Sequence, residues 1–242
     1  MPQDDGCVIV IGGAGGVGKA LIERLGTDRT VVVASRNPSS HEGITAESVE
    51  CDAREISAVD RLLEEASAKH GTVTGLVNLA GSILLKPAHL VSEEEWDETI
   101  ATNLTTAFAT VRAAGRHMKE GGSVVLVSTV AAGTGLPNHE AIAAAKSGIE
   151  GLARSAAATY AGRGLRFNVV APGLVDTPLA SRITSSERTL EHSRKMHPLG
   201  RIGVPGDVAA AINFLLGQQS DWITGQVLGI DGGLGATRAG AV

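Results

Sequence analysis

The stretch Cys7–Ala20, CVIVIGGAGGVGKA, decides the fold of this chain. Its apolar run Val8–Ile11 predicts a buried strand, which breaks into a glycine cluster before a helix begins at about Val17. Glycines at positions 12, 16 and 18 give the spacing G-x-x-x-G-x-G. Glycine allows a tight turn and a close approach of the backbone to a phosphate, and the helix N-terminus offers N–H groups to that anion. The stretch therefore predicts dinucleotide binding; the alternative is a glycine-rich turn without a ligand.

The composition narrows the class of protein. The chain has 242 residues, enough for one full-size α/β domain, and its formal net charge of -5 favours neither a nucleic acid nor an anionic membrane as partner. Two cysteines, Cys7 in the first predicted strand and Cys51 in the third, do not make a disulfide framework and indicate a reducing compartment. The acidic start MPQDD leads straight into a strand, unlike a signal peptide, and no apolar run is long enough to span a bilayer. We therefore expect a cytoplasmic protein.

Strand and helix patterns alternate along the chain. The Val-rich apolar runs are typical of parallel strands that are covered on both faces. Ser57 and Ser92 stand where helix N-caps belong, and three glutamates follow Ser92. The predicted strands are 7–11, 30–34, 48–52, 75–78, 123–128, 166–171 and 226–230, and the predicted helices are 17–25, 57–70, 93–118, 141–160 and 207–216.

This alternation predicts one domain over residues 1–242, a doubly wound Rossmann fold of the α/β class. Its seven-stranded sheet is mainly parallel, has helices on both faces and binds ligands at the carboxyl ends of its strands. Residues 173–200 break the pattern, because they are polar and irregular, with one weak helical stretch near 184–196. A long segment beside a predicted site is typical of a substrate lid.

Further motifs follow the glycine loop in a specific order. They are Asp52, the run Asn78-Leu79-Ala80-Gly81, Asn103 within WDETIATNL, Pro172-Gly173 with Thr177, and ITGQVLGIDGG at 223–233. With this set the chain resembles the short-chain dehydrogenase/reductase family over nearly its whole length. The resemblance implies that the Asp contacts adenine, that the N-x-A-G backbone lines the cofactor cleft, and that the Pro-Gly turn and its Thr hold the nicotinamide end; a Pro-Gly pair also simply makes a turn. The cofactor site so implied comprises Gly12, Gly16, Val17, Gly18, Ser35, Arg36, Asp52, Ala53, Asn78, Ala80, Gly81, Lys146, Pro172, Gly173 and Thr177.

The choice of cofactor depends on the residues after the second predicted strand. NAD sites of this fold place an acidic residue there to bind the ribose hydroxyls. Here Ser35 stands in that place and Arg36 follows. A guanidinium matches a 2′-phosphate through paired hydrogen bonds, whereas an acid would repel it. We therefore expect NADP, with NAD as second choice; the alternative is that Arg36 is a solvated loop charge.

The catalytic pattern of the family is incomplete. The family uses a Ser, an Asn, and a Tyr-x-x-x-Lys pair in which the phenol gives a proton to the oxygen that hydride transfer leaves negative. Here Lys146 is present, but Ile142 stands at the Tyr position, and Tyr160, the only tyrosine, is far down the same helix. The loss of a general acid lowers a rate by about 10²–10⁴. The remaining catalytic candidates are Lys146, the hydroxyls of Thr129 and its neighbour Ser128, and Asn103.

His139 is the candidate replacement for the missing phenol. It precedes Lys146 by seven residues, so both lie on nearly one face of a helix, and enoyl reductases related to the family place their Tyr at that spacing. An imidazole can donate a proton near neutral pH. The alternative is an exposed residue at the start of the helix, since Pro137 and Asn138 come just before it. Weaker candidates, which we expect at the surface, are Lys86, His89, His192 and His197.

Three functions remain open at this point. The first is an NADP(H)-dependent oxidoreductase that reduces a ketone or an activated double bond on a small molecule, with His139 or water as the proton donor. The second is a nucleotide-binding subunit or sensor without turnover, and the third is a degenerate structural subunit. The family resemblance also implies a homotetramer or dimer, built on helices 93–118 and 141–160 and the last strand. The scattered histidines and strand cysteines indicate no metal site.

Overall fold

The structure is a computed structural model that describes residues 6–27, 29–37 and 45–237. Seven strands form one sheet in the order β3-β2-β1-β4-β5-β6-β7, and every neighbouring pair is parallel. The predicted seven-stranded Rossmann sheet is therefore confirmed, and it is parallel throughout. The strands are β1 Cys7–Ile11, β2 Thr30–Ser35, β3 Glu47–Glu50, β4 Val73–Asn78, β5 Gly122–Val127, β6 Leu165–Pro172 and β7 Val227–Ile230.

Helices cover both faces of the sheet. Successive side chains of a strand point to opposite faces, so Ile9 and Ile11 of β1 join one buried cluster, whereas Val8 and Val10 join another. The first cluster includes side chains of α2, α4 and α5, and the second includes side chains of α1 and α8. The helices are α1 Gly16–Leu25, α2 Ile56–His70, α3 Glu93–Ile100, α4 Thr106–His117, α5 Glu140–Tyr160, α6 Ser181–Thr184, α7 Glu187–Met196 and α8 Pro205–Leu216. Among the described residues, none of these helices combines the length and apolarity needed to cross a membrane.

Most predicted elements differ from the observed ones by one or two residues at an end, and two of these differences change the place of a residue named above. Ser57 does not cap α2, because the helix begins one residue earlier, at Ile56, with Glu55 in the N-cap position. The third strand ends at Glu50, so Cys51 follows it, although the Cys51 N–H still donates to the Ser35 carbonyl. By contrast, Ser92 does cap α3, where its hydroxyl accepts from the Glu95 N–H and the Glu95 carboxylate accepts from the Ser92 N–H.

The predicted helix 93–118 is interrupted by one π-helical turn, Ala101–Thr105, between α3 and α4. Such turns are frequent at functional sites, because they shift the direction of the side chains that they carry. Asn103 lies in this turn and is 1% exposed. Within the predicted lid, α6 and α7 occupy 181–184 and 187–196, so the helical stretch expected near 184–196 is present.

Candidate active site

The glycine loop packs against the loop that follows β4. Gly12 has a φ of +76°, and a Cβ at this position would lie 2.7 Å from the Ala80 backbone nitrogen. A Cβ on Gly18 would lie 2.2 Å from the Gly13 carbonyl oxygen. Helix α1 has no side-chain cap and no acidic residue in its first turn. The loop thus leaves a close backbone approach and a positive helix end available to an anion, which fits the phosphates of a dinucleotide.

The adenosine side of the predicted site carries two arginines around one carboxylate. Ser35 ends β2, where its hydroxyl donates to the Asn37 carbonyl, and Arg36 is exposed. The Asp52 carboxylate accepts from the Arg54 guanidinium at 2.6–3.0 Å, and this contact, with a smaller contribution from the charge of Arg36, lowers the pKa of Asp52. Sequence reasoning missed Arg54, whose spacing of two residues from Asp52 was its only signal. Ala53, between them, is buried.

Two asparagines shape the loop that follows β4. Asn78 donates to the Thr110 hydroxyl and accepts from the Ala80 N–H at 2.9 Å, so it holds the backbone of the loop. Asn103 accepts from the Ser82 N–H at 3.2 Å and donates to the Ser82 hydroxyl and to the Thr99 carbonyl. Both side chains are therefore engaged in fixing backbone, and the π-helical turn brings Asn103 to the edge of the cleft.

Lys146 is buried, and its Nζ donates to the Val127 carbonyl at 2.9 Å. Burial lowers the pKa of this lysine to about 8, because the charged form loses its hydration. A Cβ on Gly81 would lie 3.4 Å from Lys146 Nζ and 3.0 Å from Asn103 Oδ1. The missing side chain at Gly81 thus leaves the space into which these two polar side chains project.

The two neighbouring hydroxyls differ in their surroundings. Ser128 Oγ donates to Glu150 Oε1 at 2.8 Å and lies 3.3 Å from the Lys146 carbonyl oxygen, so it ties β5 to α5. Thr129 Oγ1 accepts from the Ala131 N–H at 3.4 Å, which leaves its own proton available for donation. Among the two sequence candidates, the geometry therefore favours Thr129 for contact with a substrate oxygen.

His139 occupies the N-cap position of α5, and its Nδ1 lies 2.8 Å from the Pro137 carbonyl oxygen. A carbonyl only accepts hydrogen bonds, so Nδ1 carries a proton, and Nε2 of the neutral ring is then an acceptor. Ile142, 4% exposed, lines the same cavity as His139 and Lys146. Tyr160 instead packs on Phe167, with ring centres 5.6 Å apart, and does not line this cavity.

A cavity of about 420 Å³ lies at the carboxyl ends of β5 and β6 and extends under the lid. Its lining is mostly apolar; Lys146 is the only Lys, Arg, Asp or Glu that contributes to it from the described residues. His197, expected at the surface, is only 3% exposed, because it lies between the end of α7 and the loop after β6. The remaining weaker candidates lie as expected at or near the surface: His89 and His192 are exposed, and Lys86 is half-buried in an ion pair with Glu95.

Within the described ranges no group of three or more metal-ligating side chains occurs.

The structure brings only part of the predicted site around this cavity. The predicted residues that line the cavity are Val17, Gly81, Ser128, Thr129, His139, Lys146, Pro172, Gly173 and Thr177, together with the weaker candidates His192 and His197. The predicted residues that do not line it are Gly12, Gly16, Gly18, Ser35, Arg36, Asp52, Ala53, Asn78, Ala80 and Asn103.

Comparisons with known proteins agree with this architecture. A family model described as enoyl-(acyl carrier protein) reductase matches residues 15–235. The 3-oxoacyl-[acyl-carrier-protein] reductase MabA of Mycobacterium tuberculosis is 34% identical over 233 residues, which cover 94% of this chain and 92% of the relative. The 3-oxoacyl-[acyl-carrier-protein] reductase FabG of Thermotoga maritima is 34% identical over 240 residues, covering 93% and 96%. The ligand-free aldohexose dehydrogenase AldT of Thermoplasma acidophilum superposes with a TM-score of 0.91 at 30% identity, covering 99% of this chain and 98% of that one.

Proposed function

The chain belongs to the short-chain dehydrogenase/reductase family and is an oxidoreductase, and from this we propose that it uses NADP(H) to reduce a ketone or an activated double bond with a proton donor other than tyrosine. One observation supports turnover most directly. Lys146, Thr129 and His139 line one apolar cavity, and Asn103 lies at its edge beside Gly81. A scaffold that only binds a nucleotide has little use for this set.

The residues present fit a nicotinamide dinucleotide. The uncapped start of α1 suits its phosphates, and Arg36 suits a 2′-phosphate. Lys146 is proposed to bind the nicotinamide ribose, and its Nζ beside Gly81 supports this role. When bound, the cofactor supplies the hydride. An apolar ketone fits the lining of the cavity, and the names of the two bacterial relatives describe reduction of a 3-oxoacyl group.

Thr129 and His139 then stabilise and protonate the oxygen of the substrate. As hydride reaches the carbonyl carbon, the electron pair of the C=O bond moves to oxygen, and the Thr129 hydroxyl donates a hydrogen bond to that oxygen. His139, held by its Nδ1–H at the Pro137 carbonyl, delivers the proton from Nε2 when the ring is charged. A water in the cavity is the alternative donor. In the reverse direction the neutral ring accepts the proton of the alcohol at Nε2.

The test of the cofactor proposal is a fluorescence titration of the purified protein with NADPH and, separately, with NADH. We expect tighter binding of NADPH, and Arg36→Ala is expected to weaken it while NADH binding stays the same. Arg24→Ala, which removes another exposed arginine, is the matched control. If the native protein binds neither cofactor, the enzyme proposal loses its basis. If Arg36→Ala binds NADPH and NADH as tightly as the native chain does, Arg36 is rejected as the phosphate contact.

The test of the proton donor is His139→Asn. The amide nitrogen of Asn replaces Nδ1 at the Pro137 carbonyl but leaves nothing in place of Nε2. With apolar ketones as substrates, we expect kcat to fall by about 10²–10⁴ with unchanged NADPH affinity. His89→Asn, at an exposed histidine, should behave as the native protein. A His139→Asn variant with full turnover would reject His139 and leave water as the proton donor. Equal losses in turnover and in NADPH affinity would also reject His139 as the proton donor.

Ile142 favours a second candidate, a nucleotide-binding subunit or sensor that has lost turnover. This alternative predicts cofactor binding without NADPH consumption for any carbonyl tested. Introducing the phenol by Ile142→Tyr separates the two, because it restores the Tyr-x-x-x-Lys spacing at a residue that lines the cavity. A variant that becomes active where the native chain is inert would support the sensor.

We also propose that residues 1–242 act as one domain with the lid at 173–200, in a homotetramer or dimer. Trp96 and Phe108, on α3 and α4, are 44% and 46% exposed, and large exposed aromatic side chains on these two helices support a contact between copies. Sedimentation equilibrium tests it, and a monomer at micromolar concentration would reject it. Cys7 and Cys51 are both buried and unpaired, which supports the cytoplasm as the compartment.

A further inference from the structure

His197 is a buried titratable side chain that the proposed reaction does not use. It directly follows α7, is 3% exposed, and lines the same cavity as Lys146. Its ring lies between the C-terminal turn of α7 and the loop Gly173–Leu174, which follows β6. A buried histidine with two specific partners has a definite arrangement, and here the partners lie near the two ends of the lid at 173–200, Leu174 in the loop after β6 and Ser193 on α7.

Both ring nitrogens of His197 are hydrogen-bonded to backbone. Nδ1 lies 2.6 Å from the Ser193 carbonyl oxygen and must donate to it, since a carbonyl only accepts. Nε2 accepts from the Leu174 N–H at 3.3 Å. One neutral tautomer satisfies both contacts, so the ring connects the last turn of α7 directly to the Leu174 amide.

The neighbouring backbone is shaped around this ring. A Cβ on Gly173 would lie 2.5 Å from His197 Nε2, so the imidazole occupies the space that any side chain at this position would need. The residues after His197 are anchored as well. Gly200 donates its N–H to the His197 carbonyl at 2.7 Å, and Leu199 donates to the Gly232 carbonyl at 3.1 Å. The C-terminal end of the lid therefore rests on the loops after β6 and β7.

We propose that His197 is a positioning residue that holds the Gly173–Leu174 backbone, and with it the nicotinamide end of the cofactor, against the end of the lid. The inference rests on the proposed function and on the expectation from the family resemblance that Pro172, Gly173 and Thr177 hold the nicotinamide end of the cofactor. The contact from Nε2 sets the position of the Leu174 amide, and the contact from Nδ1 fixes that position relative to α7. The beginning and the end of the lid are thereby joined through one side chain.

Two variants separate the contacts. In His197→Gln the amide oxygen takes the place of Nε2 and keeps an acceptor for the Leu174 N–H. In His197→Asn the amide nitrogen takes the place of Nδ1, keeps the donor to Ser193, and leaves the Leu174 N–H without its partner. Each variant is titrated with NADPH and with 2′-phospho-ADP-ribose, which has the same phosphates and adenosine but no nicotinamide. His89→Asn serves as the exposed control.

We expect His197→Asn to weaken NADPH binding by roughly threefold to tenfold, the worth of one hydrogen bond, and to leave 2′-phospho-ADP-ribose binding unchanged. His197→Gln keeps the contact with Leu174 but loses the one with Ser193, so it should bind NADPH more tightly than His197→Asn does and 2′-phospho-ADP-ribose as the native protein does. Hydrogen exchange provides a readout without cofactor: exchange of the Leu174 amide should be faster in His197→Asn and nearly native in His197→Gln.

Equal NADPH affinity in both variants would overturn the inference, because the contact with Leu174 would then not matter. Equal losses for NADPH and 2′-phospho-ADP-ribose would also overturn it, because a purely structural role would affect both ligands alike. Unchanged exchange at Leu174 in His197→Asn would overturn it as well. Failure of the proposed function is a different result: the native protein would then bind neither NADPH nor 2′-phospho-ADP-ribose. In that case the exchange experiment still decides whether His197 holds the loop.

Discussion

Replacing Lys146 by Met should stabilise the protein at neutral pH, although it removes a side chain from the proposed active site. Burial lowers the pKa of Lys146 from 10.5 to about 8. At about 1.36 kcal/mol for each pKa unit, keeping this ammonium charged in the folded state costs about 3 kcal/mol at pH 7. Met retains most of the volume, but the Val127 carbonyl loses its donor, which costs about 1 kcal/mol. The net expectation is a gain of about 2 kcal/mol in the free energy of unfolding.

The gain should depend on pH in a defined direction. Below pH 8 the lysine is protonated in both folded and unfolded chains, so the penalty is constant. Between pH 8 and 10.5 the unfolded chain binds more protons than the folded chain, and the native protein therefore gains stability relative to the variant as pH rises. The advantage of Lys146→Met should thus shrink across this window.

Urea denaturation of the protein without cofactor at pH 7 and pH 9.5 measures both effects. For a chain of this size a gain of about 2 kcal/mol corresponds to a rise in Tm of about 4–8 °C. Lys119→Met, at an exposed lysine, should change stability little at either pH. If Lys146→Met is no more stable than the native protein at pH 7, or if its advantage does not shrink by pH 9.5, then burial does not penalise this charge as the structure indicates.

Three further predictions follow from the local geometry. Gly81→Ala puts a methyl 3.0 Å from Asn103 Oδ1 and 3.4 Å from Lys146 Nζ, and we expect kcat to fall by about tenfold or more with little change in Tm. Gly133→Ala, whose methyl meets no atom of the described residues within 4 Å, should keep native turnover. Ser92→Ala removes the capping box of α3 and should lower the free energy of unfolding by about 1 kcal/mol, whereas Ser57→Ala, inside α2, should change it by less than about 0.5 kcal/mol in urea titrations. Burial raises the pKa of Cys7 and Cys51 to about 11, so a thiol reagent at pH 8 should label neither in the folded protein and both in urea; labelling before unfolding would contradict their burial.

The fold could be predicted from sequence because its signals are local. Apolar runs such as Val31–Ala34 and the glycine spacing after β1 specify strands, turns and crossover order with little help from distant residues. Boundaries were less predictable where neighbouring residues compete. Ser57 has the chemistry of a cap, yet α2 begins one residue before it, and the single helix expected over 93–118 contains a π-helical turn that its composition does not announce.

The candidate site, like the fold, had parts that the sequence could predict and parts that it could not. Motif positions, including Lys146 and the isoleucine that replaces tyrosine, could be read directly from the chain. The contacts that decide their roles could not, because they join residues far apart in sequence. Ser128 is engaged by Glu150, Asp52 is held by Arg54, and His197, expected at the surface, is enclosed by a loop 23 residues away along the chain.

By itself, then, the sequence determined the order of strands and helices, the glycine loop and the absence of a phenol beside Lys146, since each depends on residue type and short spacing. Only the tertiary structure decided which histidines line the cavity, which of the two neighbouring hydroxyls is engaged by Glu150, and how far burial shifts the pKa of Lys146. The physical reason is that desolvation and hydrogen-bond geometry arise from packing between separate segments, here the ends of β5 and β6, helix α5 and the lid.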